Sequence, residues 1–459
     1  MEAWAERDGA PALDARLAVM TGEVGEALAE AGAWDAIVAL FAGDAVAGGG
    51  NPYHELAAGL HRALRRDGRA LVVTALAAGE SGPPAGPPPY EALVAALAEN
   101  RFLVRKELRA DGSALPWAGD RRPGGSQPSI LVAQAHSITV RGYRPGDEVP
   151  LLELFRRCFH ADRSLEHWRW KFEDAPAGRL RISLAAAEGG LILAHYGAFP
   201  NLWWDQNERR LLRAHQIGDI MSAPEARGLG RGKTSVLAQT ARHFYAAHCH
   251  GRVDFNYGFH TAHSRGFSNR FLAVVNPEAV PYRSLRTESF TVPGARGFRV
   301  RPLHRAGPEL DGLWRGAKGD YGRLAVRDRR YVDWRYFRRP DLGYLVLGVF
   351  RWRRLVGWNV FLRRGDQVIW VDAFYRRRAA PAAGPSLAAA LDRLGAPSRV
   401  TGWFPPRPSW WHAELETLGF VEAPEPDDLD LGIVSFSGPT DGERFRRDLY
   451  YTMGDSDLY

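Results

Sequence analysis

Apolar and polar positions alternate along the chain in two rhythms. A short apolar run, WDAIVALF (Trp34–Phe41), precedes YHELAAGLHRALRRDG (Tyr53–Gly68), with apolar residues at helical spacing, and then a second apolar run, RALVVTAL (Arg69–Leu76). A strand, a helix closing on Asp67-Gly68 and a second strand predict a βαβ unit with parallel strands. YEALVAALAENRFLVRKEL (Tyr90–Leu108) adds a helix and a strand, which makes a half-sized α/β sheet. From Gly112 to Ser129 the text GSALPWAGDRRPGGSQPS has no apolar period and is dense in glycine, proline and serine. That composition predicts a linker.

Beyond it the pattern repeats. VRGYRPGDEVPLLELFRRC (Val140–Cys158) is echoed by VRPLHRAGPELDGLWRGAK (Val300–Lys318), each reading as a strand, a short loop and an amphipathic helix. WRWKFEDAPAGR (Trp168–Arg179) is echoed by WRYFRRPDLGY (Trp334–Tyr344), and the hairpin pattern of Ser183–Pro200 by that of Tyr344–Leu362. Two similar α+β units in tandem are predicted, with a boundary near Pro293 to Phe298.

In the first unit the hairpin leads to a long apolar strand, LLRAHQIGDIMSAP (Leu211–Pro224), and then to APEARGLGRGKTSVLAQTARHFYAA (Ala223–Ala247). Arg227, Gly230 and Gly232 form R-x-x-G-x-G ahead of a helix whose Val236, Leu237, Thr240, Ala241 and Phe244 share one face, and a further strand, RVDFNYGF (Arg252–Phe259), follows. Glycines let successive N–H groups turn toward one point, and a helix N-terminus adds partial positive charge, so a diphosphate suits the loop. A Rossmann fingerprint needs G-x-G-x-x-G and an acidic residue closing the next strand, whereas here the glycine order differs and Asp254 comes mid-strand. A P-loop needs a glycine where this chain has Arg227. The second unit has RRRAAPAAGPSLAAALDRLG after its strand QVIWVDAFY (Gln367–Tyr375), with no R-x-x-G-x-G.

The length of 459 residues suits about three domains at roughly 150 residues each. A hydrophobic fraction of 45% and a charged fraction of 25% belong to a globular chain. The formal charge of +7 comes mostly from arginine, which favours anionic ligands but also follows from compositional bias. RRYVDWRYFRRP and RWRRLVGW interleave arginine with aromatics, a mixture suited to single-stranded nucleic acid, although the alternation reads better as sheet and core, and nucleic acid is not the expected partner. Only Cys158 and Cys249 are present, and HCHG (His248–Gly251) and HTAHS (His260–Ser264) lack metal spacing, so no disulfide framework or metal is expected. No apolar run reaches the roughly 18 residues that span a bilayer, and the N-terminus has no signal pattern. A cytoplasmic protein is expected.

Two resemblances sharpen this. WDAIVALF and HRALRRDGRALVVT are similar to the fourth strand and to the helix, turn and fifth strand of S-adenosylmethionine-dependent methyltransferases. That family's glycine-rich cofactor loop has no counterpart upstream of Ala15, so neither S-adenosylmethionine nor methyl transfer is expected, and the segment is read as a docking or structural module. The R-x-x-G-x-G context resembles the coenzyme A motif of the GNAT superfamily of acyl-CoA N-acyltransferases, over roughly Ile138 to Leu285 and more faintly over Phe298 to Tyr459.

The resemblance implies tandem GNAT folds, each a mixed, largely antiparallel sheet with flanking helices, after an N-terminal partial Rossmann-like parallel sheet. The corresponding segments are 1–111, a linker over 112–136, an acyl-CoA-binding domain over 137–294 and a degenerate second copy over 295–459. It implies acetyl-CoA or another acyl-CoA as donor and an amine-bearing small molecule or peptide as acceptor. The loop Arg227, Gly228, Leu229, Gly230, Arg231, Gly232 and Lys233 would hold the pyrophosphate, and the backbone of Ile220 and Met221 would pair with the pantetheine arm. Acyl transfer to an amine needs a neutral nucleophile, a polarised thioester and a protonated leaving thiolate. Asp219 is the favoured base, Tyr257 a candidate acid, and His215 a further candidate on the cofactor strand, with His260 and His263 weaker. The carboxylate at Tyr459, ending LYYTMGDSDLY, is another candidate base. Cys158 and Cys249 lack an evident base partner, and Trp203-Trp204 and Trp410-Trp411 read as core rather than as an acceptor tunnel. A non-catalytic acyl-CoA-binding or adaptor protein is the alternative.

Overall fold

The computed structural model describes residues 19–20, 34–42, 64–75, 89–109, 129–135, 138–227, 229–275, 278–395, 397–437 and 448–459. The chain divides into two compact units, Met1–Arg144 with Ser183–His195 and Met221–Ala247, and Pro145–Ile182 with Tyr196–Ile220 and His248–Tyr459. Both units are α/β with mixed sheets. No helix among the described residues is long and apolar enough to cross a membrane.

The first unit holds a five-stranded sheet of β1 (Val19–Met20), β2 (Trp34–Ala42), β3 (Leu64–Ala75), β4 (Phe102–Arg109) and β5 (Ser129–Ala135), in the order β1-β2-β3-β5-β4. β2 and β3 pair in parallel, but β5 is antiparallel to both β3 and β4. Two expectations change here. The predicted helix Tyr53–Gly68 lies mostly outside the described residues, and its last five residues belong to β3. The stretch read as a linker supplies β5, because SILVAQA is a compact apolar run that completes pairing on both edges. The sheet is therefore mixed rather than parallel.

Helix α1 (Pro89–Glu99) buries Leu93, Val94 and Leu97. The remaining first-unit elements are β6 (Ile138–Gly142), which pairs antiparallel with β7 (Arg181–Ala187), part of β8 (Ile192–Asp205), and helix α4 (Val236–Phe244) after the glycine turn. α1 packs on α4.

In the second unit, α2 (Glu148–Phe159) and α3 (Leu165–Phe172) precede the rest of β8 and all but the last two residues of the long strand β9 (Arg210–Ser222). β10 (Phe255–His260), α5 (Ala262–Phe271) and β11 (Tyr282–Arg286) follow. The second half runs β12 (Phe298–Pro302), α6 (Glu309–Ala317), β13 (Arg323–Ala325), α7 (Arg329–Val332), β14 (Leu345–Arg351), β15 (Arg354–Arg364), β16 (Gln367–Tyr375), α8 (Ala383–Leu394), β17 (Arg399–Trp403), α9 (Ser409–Thr417), β18 (Val421–Glu422), β19 (Asp430–Ser435) and β20 (Leu449–Tyr450).

One sheet continues as β19-β10-β9-β8-β13-β20 and the other is β12-β14-β15-β16-β17-β11-β18. Strands cross the expected boundary in both directions. β11, from the first half, pairs with β17, and β19, from the second half, pairs with β10 over Phe255–His260. Trp358, Trp370, Trp403 and Trp411 are fully buried in the large core of this unit.

Candidate active site

The glycine loop belongs to the first unit. A short 3-10 turn (Pro224–Ala226) and a second (Gly232–Thr234) bracket it, and Ser235 caps α4 by accepting the Ala238 N–H. Gly230 has φ +78° and Gly232 φ +57°, values that favour glycine. A Cβ on Gly230 would lie 2.1 Å from the Thr234 carbonyl oxygen, so only glycine fits. The N–H groups of Arg227, Leu229, Arg231, Thr234, Ser235 and Val236 are consumed inside the turn, accepted in order by Pro224, Ala226, the Thr234 hydroxyl, Arg231, Gly232 and Leu229. Those of Gly230 and Gly232 find no acceptor among the described residues. Arg227 and Arg231 are exposed and Lys233 is half-buried, while Gly228 lies outside the described residues. Two N–H donors without an acceptor among the described residues thus stand beside Arg227, Arg231 and Lys233, ahead of a helix.

Gln239, which is 1% exposed, holds this loop in place. Its amide accepts the Val104 N–H of β4 at 2.9 Å and donates to the Thr234 carbonyl at 2.8 Å. One turn further, His243 bonds Ser183 Oγ through Nδ1 and Glu99 through Nε2, each at 2.8 Å. The N-terminal sheet thereby braces the helix behind the glycines, a role that periodicity could not reveal because Gln239 and His243 sit on an otherwise ordinary helix.

In the second unit, β9 and β10 form a fork. They pair in parallel only over Ala214–Gln216 and Phe255–Tyr257, and β9 beyond Gln216 has no register partner on β10. Asp219 lies past the fork in the left-handed region, φ +52°. Its carboxylate accepts from both Arg163 Nη groups and from Lys171 Nζ at 3.0 Å. Lys171, 1% exposed, also meets Asp457 at 2.8 Å, and Asp457 accepts from Gln216 Nε2 at 3.1 Å. Gly218 gives this ending segment room, since a Cβ there would approach Asp457 to 2.2 Å. Two cations, Arg163 and Lys171, thus engage the Asp219 oxygens. Arg163 and Lys171 carried no sequence signal, because their partner lies about fifty residues away.

Tyr257 is buried at the fork, accepts a hydrogen bond from Asn201 Nδ2 at 3.0 Å, and meets Trp203 edge-on at 5.2 Å. Burial, reinforced by the nearby Asp455 charge, pushes its hydroxyl well above the usual tyrosine range, so it stays a proton donor. Beside it on β9, Gln216 Oε1 is buried without a hydrogen-bond partner among the described residues, an atom that calls for a ligand group or water.

His215 and Cys249 come together, with Nδ1 3.7 Å from Sγ, while Asn256 Nδ2 lies 3.3 Å from Sγ. The sequence offered Cys249 no partner, and the fold supplies one. Burial lowers His215 to about 3 and pushes the Cys249 thiol up, so the pair is neutral and enclosed rather than nucleophilic. His260 closes β10 and contacts Ser268, and burial lowers it to about 4. Thr261 stands at the start of α5 without a side-chain cap bond. The Tyr459 main-chain oxygen accepts from both Arg335 and Arg339, which occupy it and leave it ill-suited to take up a substrate proton. Trp203 and Trp411 are core, with Trp204 and Trp410 at its margin. A cleft of about 440 Å³ is lined by Leu165, Glu166, Arg169, Trp170, Asp174 and Arg338. Among the described residues no group of three or more His, Cys, Asp or Glu could hold a metal.

No family model and no curated protein matches the chain. Among solved structures it is similar to a GCN5-related N-acetyltransferase from Anabaena variabilis, at 12% identity and TM-score 0.49 over 65% of this chain and 73% of that one. It is also similar to a GCN5-related N-acetyltransferase from Kribbella flavida, at 14% identity and TM-score 0.47 over 66% of this chain and 72% of that one. A third is Saccharomyces cerevisiae N-myristoyltransferase with bound myristoyl-CoA, at 10% identity and TM-score 0.43 over 65% of this chain and 79% of that one.

Proposed function

We propose that the chain is an acyl-CoA-dependent N-acyltransferase that moves an acetyl or longer acyl group to an amine on a small molecule or peptide. The observation that carries this reading is the glycine loop, where the Gly230 and Gly232 N–H groups lack acceptors among the described residues and Gly230 cannot carry a side chain. The donor's pyrophosphate accepts from these N–H groups, with charge from Arg227 and Arg231. Its pantetheine arm pairs with β9 at Ile220 and Met221, as an added strand would, since β10 no longer pairs with β9 there. The amine attacks the thioester carbonyl, the C–S bond breaks, and Tyr257 gives its proton to the departing thiolate. The proton shed by the nitrogen restores the phenol through solvent. Asp219, with Arg163 and Lys171, positions the strand.

The order β6-α2-α3-β7-β8-β9-α4-β10 parallels β12-α6-β13-α7-β14-β15-β16-α8-β17 apart from the short strand β13, which supports a duplication. The second copy passes from β16 into an Ala-rich 3-10 turn (Arg377–Ala382) without glycines, so it holds no donor.

The engagement of both Asp219 and the Tyr459 oxygen favours a second reading, a protein that binds acyl-CoA without turning it over. Titration calorimetry with coenzyme A, followed by free-thiol release from acetyl- and longer acyl-CoA with an amine panel, separates the two. Binding with thiol release supports the enzyme and binding alone the adaptor. A folded protein that does not bind coenzyme A sinks both.

A further inference from the structure

The hairpin joining β14 and β15 has an unusual tip. Its final rung pairs Arg351 with Arg354, and Trp352 and Arg353 form a two-residue turn. Trp352 is 85% exposed and sits in the left-handed region at φ +57°. Two-residue hairpin turns favour asparagine or glycine at positive φ, and a bulky residue there carries backbone strain. Arginines directly opposite one another repel. No acidic residue occurs between Asp341 and Asp366, and none of the three arginines has an ion-pair partner among the described residues. Further charge surrounds the tip. Neighbouring β12, paired with β14, exposes Arg299 and Arg301, which face Phe350 and Gly348 across the ladder, whereas Arg351 faces Phe298. The two sets project from opposite faces of the ribbon.

Arginines on an edge strand can serve to prevent edge-to-edge pairing, but that duty explains neither the tryptophan nor its strained backbone. We propose that this hairpin docks the protein on an anionic lipid bilayer, with Trp352 entering the headgroup layer and the arginines bonding the lipid phosphates. Tryptophan's amphipathic ring suits the membrane interface, and basic residues within a Debye length of an anionic leaflet add attraction. The form of the site favours lipid over single-stranded nucleic acid, which is bound in grooves with successive aromatic platforms. Here one exposed ring stands at a convex tip with charge on both sides.

The test uses the full chain with vesicles of phosphatidylcholine alone or mixed with phosphatidylglycerol, read by co-sedimentation. Binding is expected only to the anionic vesicles, decreasing with salt. Replacing Arg351, Arg353 and Arg354 by alanine should lower the partition coefficient by about fivefold per arginine. Trp352→Asn should weaken vesicle binding while leaving the melting temperature unchanged or higher, because asparagine tolerates the turn; a purely structural tryptophan would instead lose stability. Brominated lipid should quench wild-type fluorescence more than that of Trp352→Phe. Equal binding to both vesicle types, variants that bind like wild type, or a single-stranded oligonucleotide that binds through the same residues while anionic vesicles do not, would each overturn the proposal.

Discussion

Replacing Gly230 by alanine tests the donor loop at its tightest point. The backbone at φ +78° costs an alanine about 1–2 kcal/mol. The new Cβ would also lie 2.1 Å from the Thr234 carbonyl oxygen, a backbone atom that no rotamer change can move away. The loop must shift, and the Gly230 and Gly232 N–H groups lose their common aim. Hydrogen bonds to a charged acceptor contribute about 1.5–3 kcal/mol each, so losing both predicts a fall in coenzyme A affinity of roughly 10² to 10⁴. Pantetheine lacks the pyrophosphate and is the internal control. Calorimetry on both ligands, with a melting curve to confirm folding, should show coenzyme A binding collapse while pantetheine binding holds. Parallel losses for the two ligands, or an unchanged coenzyme A affinity in a folded variant, would refute the assignment of the loop.

Three further outcomes are expected. Tyr257→Phe should lower kcat by roughly 10²- to 10⁴-fold with little change in KM for the acyl-CoA; a change confined to KM would remove Tyr257 as the acid. Gln239→Leu leaves the Val104 N–H and the Thr234 carbonyl without their partner, at about 1–3 kcal/mol per stranded group, and should speed amide exchange at Val104 and weaken coenzyme A binding; unchanged exchange would show that the brace is idle. His215, lowered to about 3, and His260, lowered to about 4, stay neutral in the folded chain but take up protons near pH 6.5 when unfolded. Because the unfolded state then binds more protons, stability should fall as pH drops from about 6.5 toward 4, by about 1.4 kcal/mol per pH unit for each histidine. His215→Gln should remove its share of that slope in urea titrations at pH 7 and pH 5, and an unaltered slope would show that His215 is not buried and neutral.

Much of the order of elements was legible in the chain. The hairpin flanking Gly189 and Gly190, the strand Arg210–Ser222 and the helix after the glycine loop all appear in period and turn chemistry, because those signals are local. Other features were not legible, each for a physical reason. SILVAQA is too short and too near a glycine-rich stretch to declare itself a strand until β3 and β4 offer it edges on both sides. RWRRLVGW reads as one alternating run, yet the turn at Trp352-Arg353 leaves one tryptophan 85% exposed and buries Trp358 completely.

The sequence by itself determined the glycine loop and its neighbours, since R-x-x-G-x-G encodes a backbone conformation within a few residues. Only the tertiary structure decided that β11 and β19 cross between the two sheets, because a strand's edge is indifferent to how far along the chain its partner lies. Only it decided that Asp219 is enclosed by Arg163 and Lys171, with Asp457 beyond the lysine. The protonation and reach of a carboxylate depend on the charges packed around it, and those come from segments that sequence proximity does not connect.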